Sequence, residues 1–153
     1  MTDPDVGPQF GAPEPGVAYA DRPAAFGILE RDGRIACVFI TRPEQSYFDL
    51  PGGAIEPGET AEAALVREFG EETGLAIRAS GSLGHARQFM RKVDGEAVNN
   101  LCILFEAQEL GEAPELKIEA DHALDWLDPF EALTALRHDA HAWAVAAWLR
   151  RRP

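Results

Sequence analysis

Between residues 53 and 75, four glutamates (Glu59, Glu68, Glu71 and Glu72) and one arginine, Arg67, recur at intervals that fit a turn followed by a helix. Residues three and four apart share a helical face, so Glu68, Glu71 and Glu72 send their carboxylates towards one small region. Such a region is unstable without a counter-charge. Hard oxygen donors at the mouth of a Gly-rich turn suit Mg²⁺ or Mn²⁺, which would replace carboxylate repulsion by coordination. Arg67 stands at helical spacing from Glu71 and can also reach Glu68 or Glu59, fixing one carboxylate in a single rotamer better than a lysine would. A glutamate-rich helix face is most often plain solvated surface, and for Glu62 alone that reading stands. For the whole set it would require the turn Pro51-Gly52-Gly53, a second turn at Gly58 and the run Arg67-Glu68-x-x-Glu71-Glu72 to coincide.

The elements that must carry these residues are legible around them. Apolar segments Ala24 to Glu30 and Arg34 to Ile40 flank Arg31-Asp32-Gly33, a hairpin signal. In the second segment Ile35, Cys37 and Phe39 alternate with Ala36, Val38 and Ile40, so the strand is apolar on both faces and needs cover on both. Phe48-Asp49-Leu50 reads as a short strand entering the Gly-rich turn. Thr60 is placed to cap a helix ending at Glu72 or Thr73, with Gly74 suited to a left-handed C-terminal residue. Leu65, Val66 and Phe69 supply its apolar stripe. Gly70 inside it costs about 1 kcal/mol relative to Ala, which predicts either a close neighbour or a tolerated defect. Further strands are predicted over Ser82 to Met90 and Val98 to Ala107, joined at Asp94-Gly95, then a short extended piece at Ala123 to Leu127. A helix opens at Asp128-Pro129 and a closing helix runs from Ala140 to Arg150. Strands between helices, with antiparallel pairs, indicate a single α/β/α or α+β domain.

The bulk numbers exclude several classes. The chain of 153 residues has the length of one domain, and its Pro- and Gly-rich start reads as an extended or mobile arm over residues 1–18 before a single domain over 19–153. The net charge of -12 argues against duplex nucleic acid as a partner, because non-specific affinity for it rests on Lys and Arg. No apolar run reaches membrane-spanning length and no secretory signal opens the chain, so the expectation is a cytoplasmic protein without a membrane partner. Cys37 and Cys102 sit in apolar runs and read as small buried hydrophobes. His138 and His141, three apart on the predicted last helix, read as surface or helix-cap residues and not as metal ligands. Trp126, Trp143 and Trp148 read as core.

The segment Gly53 to Leu75 resembles the Nudix box position by position: Gly53, five residues, Glu59, seven residues, Arg67-Glu68, Phe69, one residue, Glu71-Glu72, one residue, Gly74 and the apolar Leu75. Phe69 is bulkier than the aliphatic residue usual there. The resemblance implies a Nudix-like α/β/α sandwich with a mixed sheet between helices, and hydrolysis of a nucleoside diphosphate linked to another moiety. It implies Mg²⁺ or Mn²⁺ held by Glu68, Glu71 and Glu72, with Glu59 assisting and a backbone carbonyl at the Gly-Gly turn, taken as Gly53, adding a ligand. Arg67 is then an orienting group. The proton acceptor is Glu72 or Glu71, or an acid outside the box, for which Glu119 and then Asp121 are the candidates. The moiety beyond the phosphates would be read by Tyr47 and Phe48, just before the turn, and by Arg87 and Phe89 on a following strand. A phosphorylated small molecule, a nucleotide by resemblance, is the expected partner. Homodimers are common in that family, and nothing in this sequence requires one.

Overall fold

The computed structural model describes residues 6–152; residues 1–5 of the N-terminal arm lie outside the described residues. Along the chain run β1 (Gln9–Phe10), β2 (Ala20–Arg31), β3 (Arg34–Ile40), β4 (Tyr47–Asp49), β5 (Gly52–Ala54), α1 (Ala61–Thr73), β6 (Leu75–Arg91), β7 (Ala97–Glu112), a 3-10 turn (Pro114–Leu116), β8 (His122–Leu127), α2 (Pro129–Ala135) and α3 (Asp139–Arg151). The strands form one mixed, curled sheet in the order β1-β6-β7-β2-β3-β4, with β5 also on β2 and β8 on β3. Within the segment read as an arm, Gln9 and Phe10 pair in parallel with Arg87 and Gln88. β2 lies at the centre, parallel to β7 from Ala20 to Leu29 and antiparallel to β5 from Ala24 to Phe26.

Period-two alternation divides the core into two layers. Ala24, Phe26 and Ile28 of β2 pack with Ile35, Cys37, Cys102 and Leu104 under α3, which contributes Ala144, Val145 and Trp148. Ala25 and Leu29 pack on the opposite face with Ala36, Phe105 and the α1 residues Ala64, Leu65 and Phe69. The hairpin is therefore covered on both sides, as its unbroken apolar pattern requires. Both cysteines are buried free thiols, and burial pushes each pKa up to about 12, so they behave as small hydrophobes.

α1 starts where Thr60 Oγ1 accepts the Ala63 N–H at 3.1 Å. It stops at Gly74, whose φ of 74° is left-handed and whose N–H donates to the Gly70 carbonyl. Leu65 and Phe69 are fully buried, each worth about 1.5–3 kcal/mol. Val66 is 40% exposed and does not belong to the stripe; Glu72 and Thr73 continue it instead. Gly70 has a close neighbour: the Leu116 side chain lies 3.1 Å from where a Cβ would stand. No helix among the described residues is long and apolar enough to cross a membrane.

His138 and His141 require a correction, since both are buried and neither is a surface residue. α3 turns them inward, ring against ring at 5.5 Å, with His141 also against Phe26. His138 occupies the helix N-cap position but makes no side-chain cap bond. His141 Nδ1 accepts the N–H of Leu50 at 3.1 Å, which ties α3 to the strand entering the Gly-rich turn. Burial pushes both imidazoles down to about 3. A folded pKa below the unfolded value near 6.5 means the native state binds fewer protons, so this contribution is full above that value and drains away as pH falls towards 3. Asparagine places an acceptor oxygen where His141 carries Nδ1, without the titration. His141→Asn is expected to lower the urea midpoint at pH 7 through lost packing, yet to lose less of it than the wild type between pH 7 and about pH 4.5. Parallel acid slopes for the two proteins would contradict this.

Candidate active site

Arg67 gathers three acidic residues of the box, Glu59, Glu68 and Glu71. Its Nε and Nη2 grip both oxygens of Glu59 at 2.8 and 3.0 Å, Nη2 also reaches the Ala54 carbonyl at 3.1 Å, and Nη1 donates to Glu68 at 2.8 Å and Glu71 at 3.4 Å. A guanidinium offers five N–H donors in a rigid fork, and a lysine could not hold this set together. Glu59 Oε1 also accepts the Glu56 N–H at 3.0 Å. Hydrogen bonds from Arg67, then from Glu56, hold the Glu59 carboxyl down at about 2. Turn, β5 and α1 are thus fixed to one another by a single side chain.

The three helix glutamates occupy different environments. Glu72 follows Leu65 and Phe69 along the buried stripe, so its carboxylate points at the sheet and the residue as a whole is only 6% exposed. Its Oε1 accepts the Gly52 N–H at 2.9 Å and its Oε2 lies 3.3 Å from His122 Nε2. Burial pushes the Glu72 pKa up to about 7, against the pull of His122 and the Gly52 amide. Glu68 leans over β5, and a Cβ on Gly53 would stand 2.7 Å from its carboxyl carbon. Only glycine leaves room for that carboxylate. Burial raises the Glu68 pKa too, opposed by Arg67.

Opposite α1, the chain from Lys117 to His122 closes the site. The N–H groups of Ile118 and Glu119 both donate to the Glu71 carbonyl at 3.0 Å, while Lys117 Nζ donates to the carbonyls of Glu119 and His122. Oxygens of Glu119 and Asp121 and a ring nitrogen of His122 converge within 4.8 Å. Both His122 nitrogens face carboxylates, with Nδ1 2.8 Å from Asp121 Oδ1. Burial works to depress this imidazolium, but its bonds to Glu72 and Asp121 outweigh burial and hold its pKa up at about 9. The donors around Gly53, Glu68, Glu71, Glu72 and Glu119 are all oxygens, a set that suits a hard divalent cation and offers nothing to a soft one.

A cleft of about 410 Å³ opens beside Glu72 and Gly53. Five Arg and Lys residues, Arg22, Arg42, Arg91, Lys92 and Arg137, line it together with Asp49, Glu72 and Asp94, and all of the five but Arg22 are ion-paired with carboxylates. Arg137 stacks 3.6 Å over the Tyr47 ring and grips both oxygens of the buried Asp49. Arg22 donates to Asn100 Oδ1 at 2.9 Å and has no carboxylate partner within salt-bridge distance among the described residues.

Of the residues singled out in the sequence, Gly53, Glu59, Arg67, Glu68, Glu71, Glu72 and Glu119 come together, and Tyr47 lines the cleft. Phe48, Arg87 and Phe89 do not line it. Phe48 packs edge-on against Phe39, 4.9 Å between centroids, because β4's pleat turns it away from its neighbour Tyr47. On β6 the pleat carries Gln88 towards α3, where its Oε1 accepts the Ala140 N–H, and sets Met90 in the cleft. Arg87 and Phe89 therefore face the other way, Arg87 into a small separate cavity and Phe89 against Tyr19. His122 and Arg22 carried no motif that would have drawn attention to them. Their placement depends on β3–β8 and β2–β7 pairings between distant segments.

The model of the NUDIX domain matches residues 20–149. The chain is 39% identical over 82 residues to an ADP-ribose pyrophosphatase of Methanocaldococcus jannaschii, a match covering 53% of this chain and 48% of that protein. It is 31% identical over 114 residues to a CTP pyrophosphohydrolase of Escherichia coli, covering 69% of this chain and 75% of that one. The chain thus spans about half the length of the first of these relatives. Among solved structures, a NUDIX hydrolase from Nitrosomonas europaea superposes with a TM-score of 0.71 at 21% identity, covering 84% of this chain and 88% of the other. A MutT NUDIX hydrolase from Burkholderia pseudomallei does so with a TM-score of 0.62 at 28% identity, covering 83% and 97%. With its mixed curled sheet between helices and its complete box from Gly53 to Leu75, the chain belongs to the Nudix family.

Proposed function

We propose that the chain is a metal-dependent pyrophosphohydrolase, cleaving a nucleoside diphosphate linked to another moiety by attack of water at phosphorus. One observation carries this reading. Beside the carboxylates held by Arg67, two further oxygen donors of the box, at Gly53 and Glu72, line a cleft that five Arg and Lys side chains also line. A polyphosphate needs both, because its reacting end must be neutralised and its remaining charge held. The named relatives fit the class, since ADP-ribose and CTP both contain a phosphoric anhydride next to a nucleoside.

Glu68, Glu71, Glu72 and the Gly53 carbonyl are the residues that would hold Mg²⁺ or Mn²⁺. When bound, such an ion offsets phosphate charge and makes water a better nucleophile near neutral pH. Arg67 orients the carboxylates and need not touch substrate. Both Glu72 oxygens already have partners at Gly52 and His122, which suits a fixed ligand better than a group that must accept and release a proton. Glu119 is half-buried, beside the same donors, and its carboxylate makes no hydrogen bond among the described residues. We assign it the proton-accepting role. Tyr47, with Arg137 stacked on it, and Arg22, Arg42, Arg91 and Lys92 would hold the phosphate-linked moiety.

A panel of nucleoside triphosphates, nucleotide sugars and dinucleotides, assayed for Mg²⁺-dependent release of phosphorylated products, tests the activity. Glu119→Gln is expected to lower kcat by about 10²–10⁴-fold, the usual contribution of a positioned base, with KM little changed. Retention of full kcat in that variant would remove Glu119 from the role. Tight binding of one compound with no turnover across the panel would point to a nucleotide-sensing module instead. Gly53→Ala is a separate test of the ligand set, because the new methyl must displace the Glu68 carboxylate. Mn²⁺ affinity, followed by electron paramagnetic resonance, is expected to fall at least about 10-fold while the thermal midpoint moves little.

A further inference from the structure

Glu72 is a long side chain with one oxygen fixed by the Gly52 amide, and a single hydrogen bond leaves the carboxylate free to turn about that contact. His122 meets the other oxygen as an ion-pair partner. Its Nε2 lies 3.3 Å from Glu72 Oε2, and the two side chains are 10% and 8% exposed. The imidazole is in turn fixed from behind, with Asp121 Oδ1 2.8 Å from Nδ1, and the other Asp121 oxygen is bonded by Arg42 Nη1. The backbone anchors the same chain of groups. Thr41 N–H donates to the Asp121 carbonyl at 3.0 Å, His122 pairs with Ile40 at the start of β8, and Lys117 Nζ holds the His122 carbonyl at 2.6 Å.

The convergence of Glu119, Asp121 and His122 suggests a metal site at first sight. The ring geometry excludes His122 from that role. Nδ1 lies 2.8 Å from Asp121 Oδ1 and Nε2 lies 3.3 Å from Glu72 Oε2, so both nitrogens already face carboxyl groups and neither lies open to a cation. Arg42 meanwhile lines the cleft and its buried Nε has no hydrogen-bond partner among the described residues. The chain Arg42–Asp121–His122–Glu72 therefore runs from the cationic wall of the cleft to the most buried carboxylate of the box.

We propose that His122 is a positioning residue that sets the orientation of Glu72, itself held in register by Asp121 and Arg42; this rests on the reading of Glu72 as a metal-binding carboxylate. A group that fixes a ligand in this way acts on metal affinity and on the chemical step more than on substrate binding. Two substitutions separate that role from a purely structural one. Glutamine can put an amide N–H where His122 carries Nε2, whereas leucine fills similar space with no donor.

The full chain carrying His122→Leu or His122→Gln would be measured for Mn²⁺ affinity, for kcat and KM on the best compound of the panel, and for urea midpoint. His122→Leu is expected to weaken Mn²⁺ binding and lower kcat by about 10–100-fold each, with KM within about threefold of wild type. His122→Gln is expected to recover most of both losses at a similar urea midpoint. Wild-type Mn²⁺ affinity in the leucine variant, or equal impairment of the two variants, would overturn the proposal. A wild type that binds Mn²⁺ but hydrolyses nothing would sink the hydrolase reading alone, and the Mn²⁺ comparison would still decide the role of His122. A wild type that binds no Mn²⁺ would overturn both.

Discussion

Glu59, Glu68 and Glu71 all lie within bonding distance of one guanidinium. Two like charges about 4 Å apart repel by about 4 kcal/mol at an effective dielectric of 20, a cost comparable to a large part of a domain's net stability. Arg67 opposes that repulsion and, through the Ala54 carbonyl, also joins α1 to β5. Its rigid fork meets Glu59 on one side and Glu68 and Glu71 on the other, so the turn at Gly58, the Gly-rich strand and the helix can close in only one arrangement. The rest of the site inherits that arrangement. Gly53 can pass beneath the Glu68 carboxylate because the helix is held at that distance, and the Gly52 N–H meets Glu72 for the same reason.

Glu72 needs a different solution, because Arg67 does not reach it. The helix that must bury Leu65 and Phe69 also turns Glu72 towards the sheet, so the apolar stripe and the site compete for one face of α1. A buried carboxylate without partners would cost several kcal/mol or stay protonated. Here a backbone amide and an imidazolium meet its two oxygens. The stable core and the buried carboxylate are thus two ends of the same stripe. The sharp backbone passage through Gly52 and Gly53 follows from the need to bring an N–H group to that depth.

The sequence made local elements legible and long-range facing much less so. Thr60, Gly74, Asp32-Gly33 and Asp128-Pro129 act through neighbours a few residues away, and the helices and hairpin they delimit are present. The box motif identified the carboxylates because helical spacing alone brings Glu68, Glu71 and Glu72 near one another. Spacing did not say which of the three is buried; that depends on the sheet residues lying under α1. Alternation likewise says that Arg87 and Phe89 share a face of β6, but not which face. β6 carries register shifts near Ala79 and Ser82, so its facing is fixed only by pairing with β7. His138 and His141 look polar in a one-dimensional pattern, and only the fold encloses them between α3 and the Leu50 amide.

The positive side of the site also depends on long-range facing. A net charge of -12 weighs against a long polyanion such as duplex nucleic acid, yet it says nothing about charge placement. Over distances beyond about 8 Å, salt screens the acidic surface at physiological ionic strength, so a small ligand in the cleft responds mainly to its immediate walls. Those walls bring Arg22 from β2, Arg42 and Tyr47 from either side of one loop, Arg91 and Lys92 from the β6–β7 turn, and Arg137 from the connection before α3. No two of these segments are contiguous in sequence, so no window of sequence could display the patch. An acidic chain can therefore line a cleft with a minority of its cations, next to the clustered carboxylates of α1. The two clusters of opposite charge can lie side by side because each is held by its own partners, the carboxylates by Arg67 and the cleft cations by Asp49, Asp121 and Glu14.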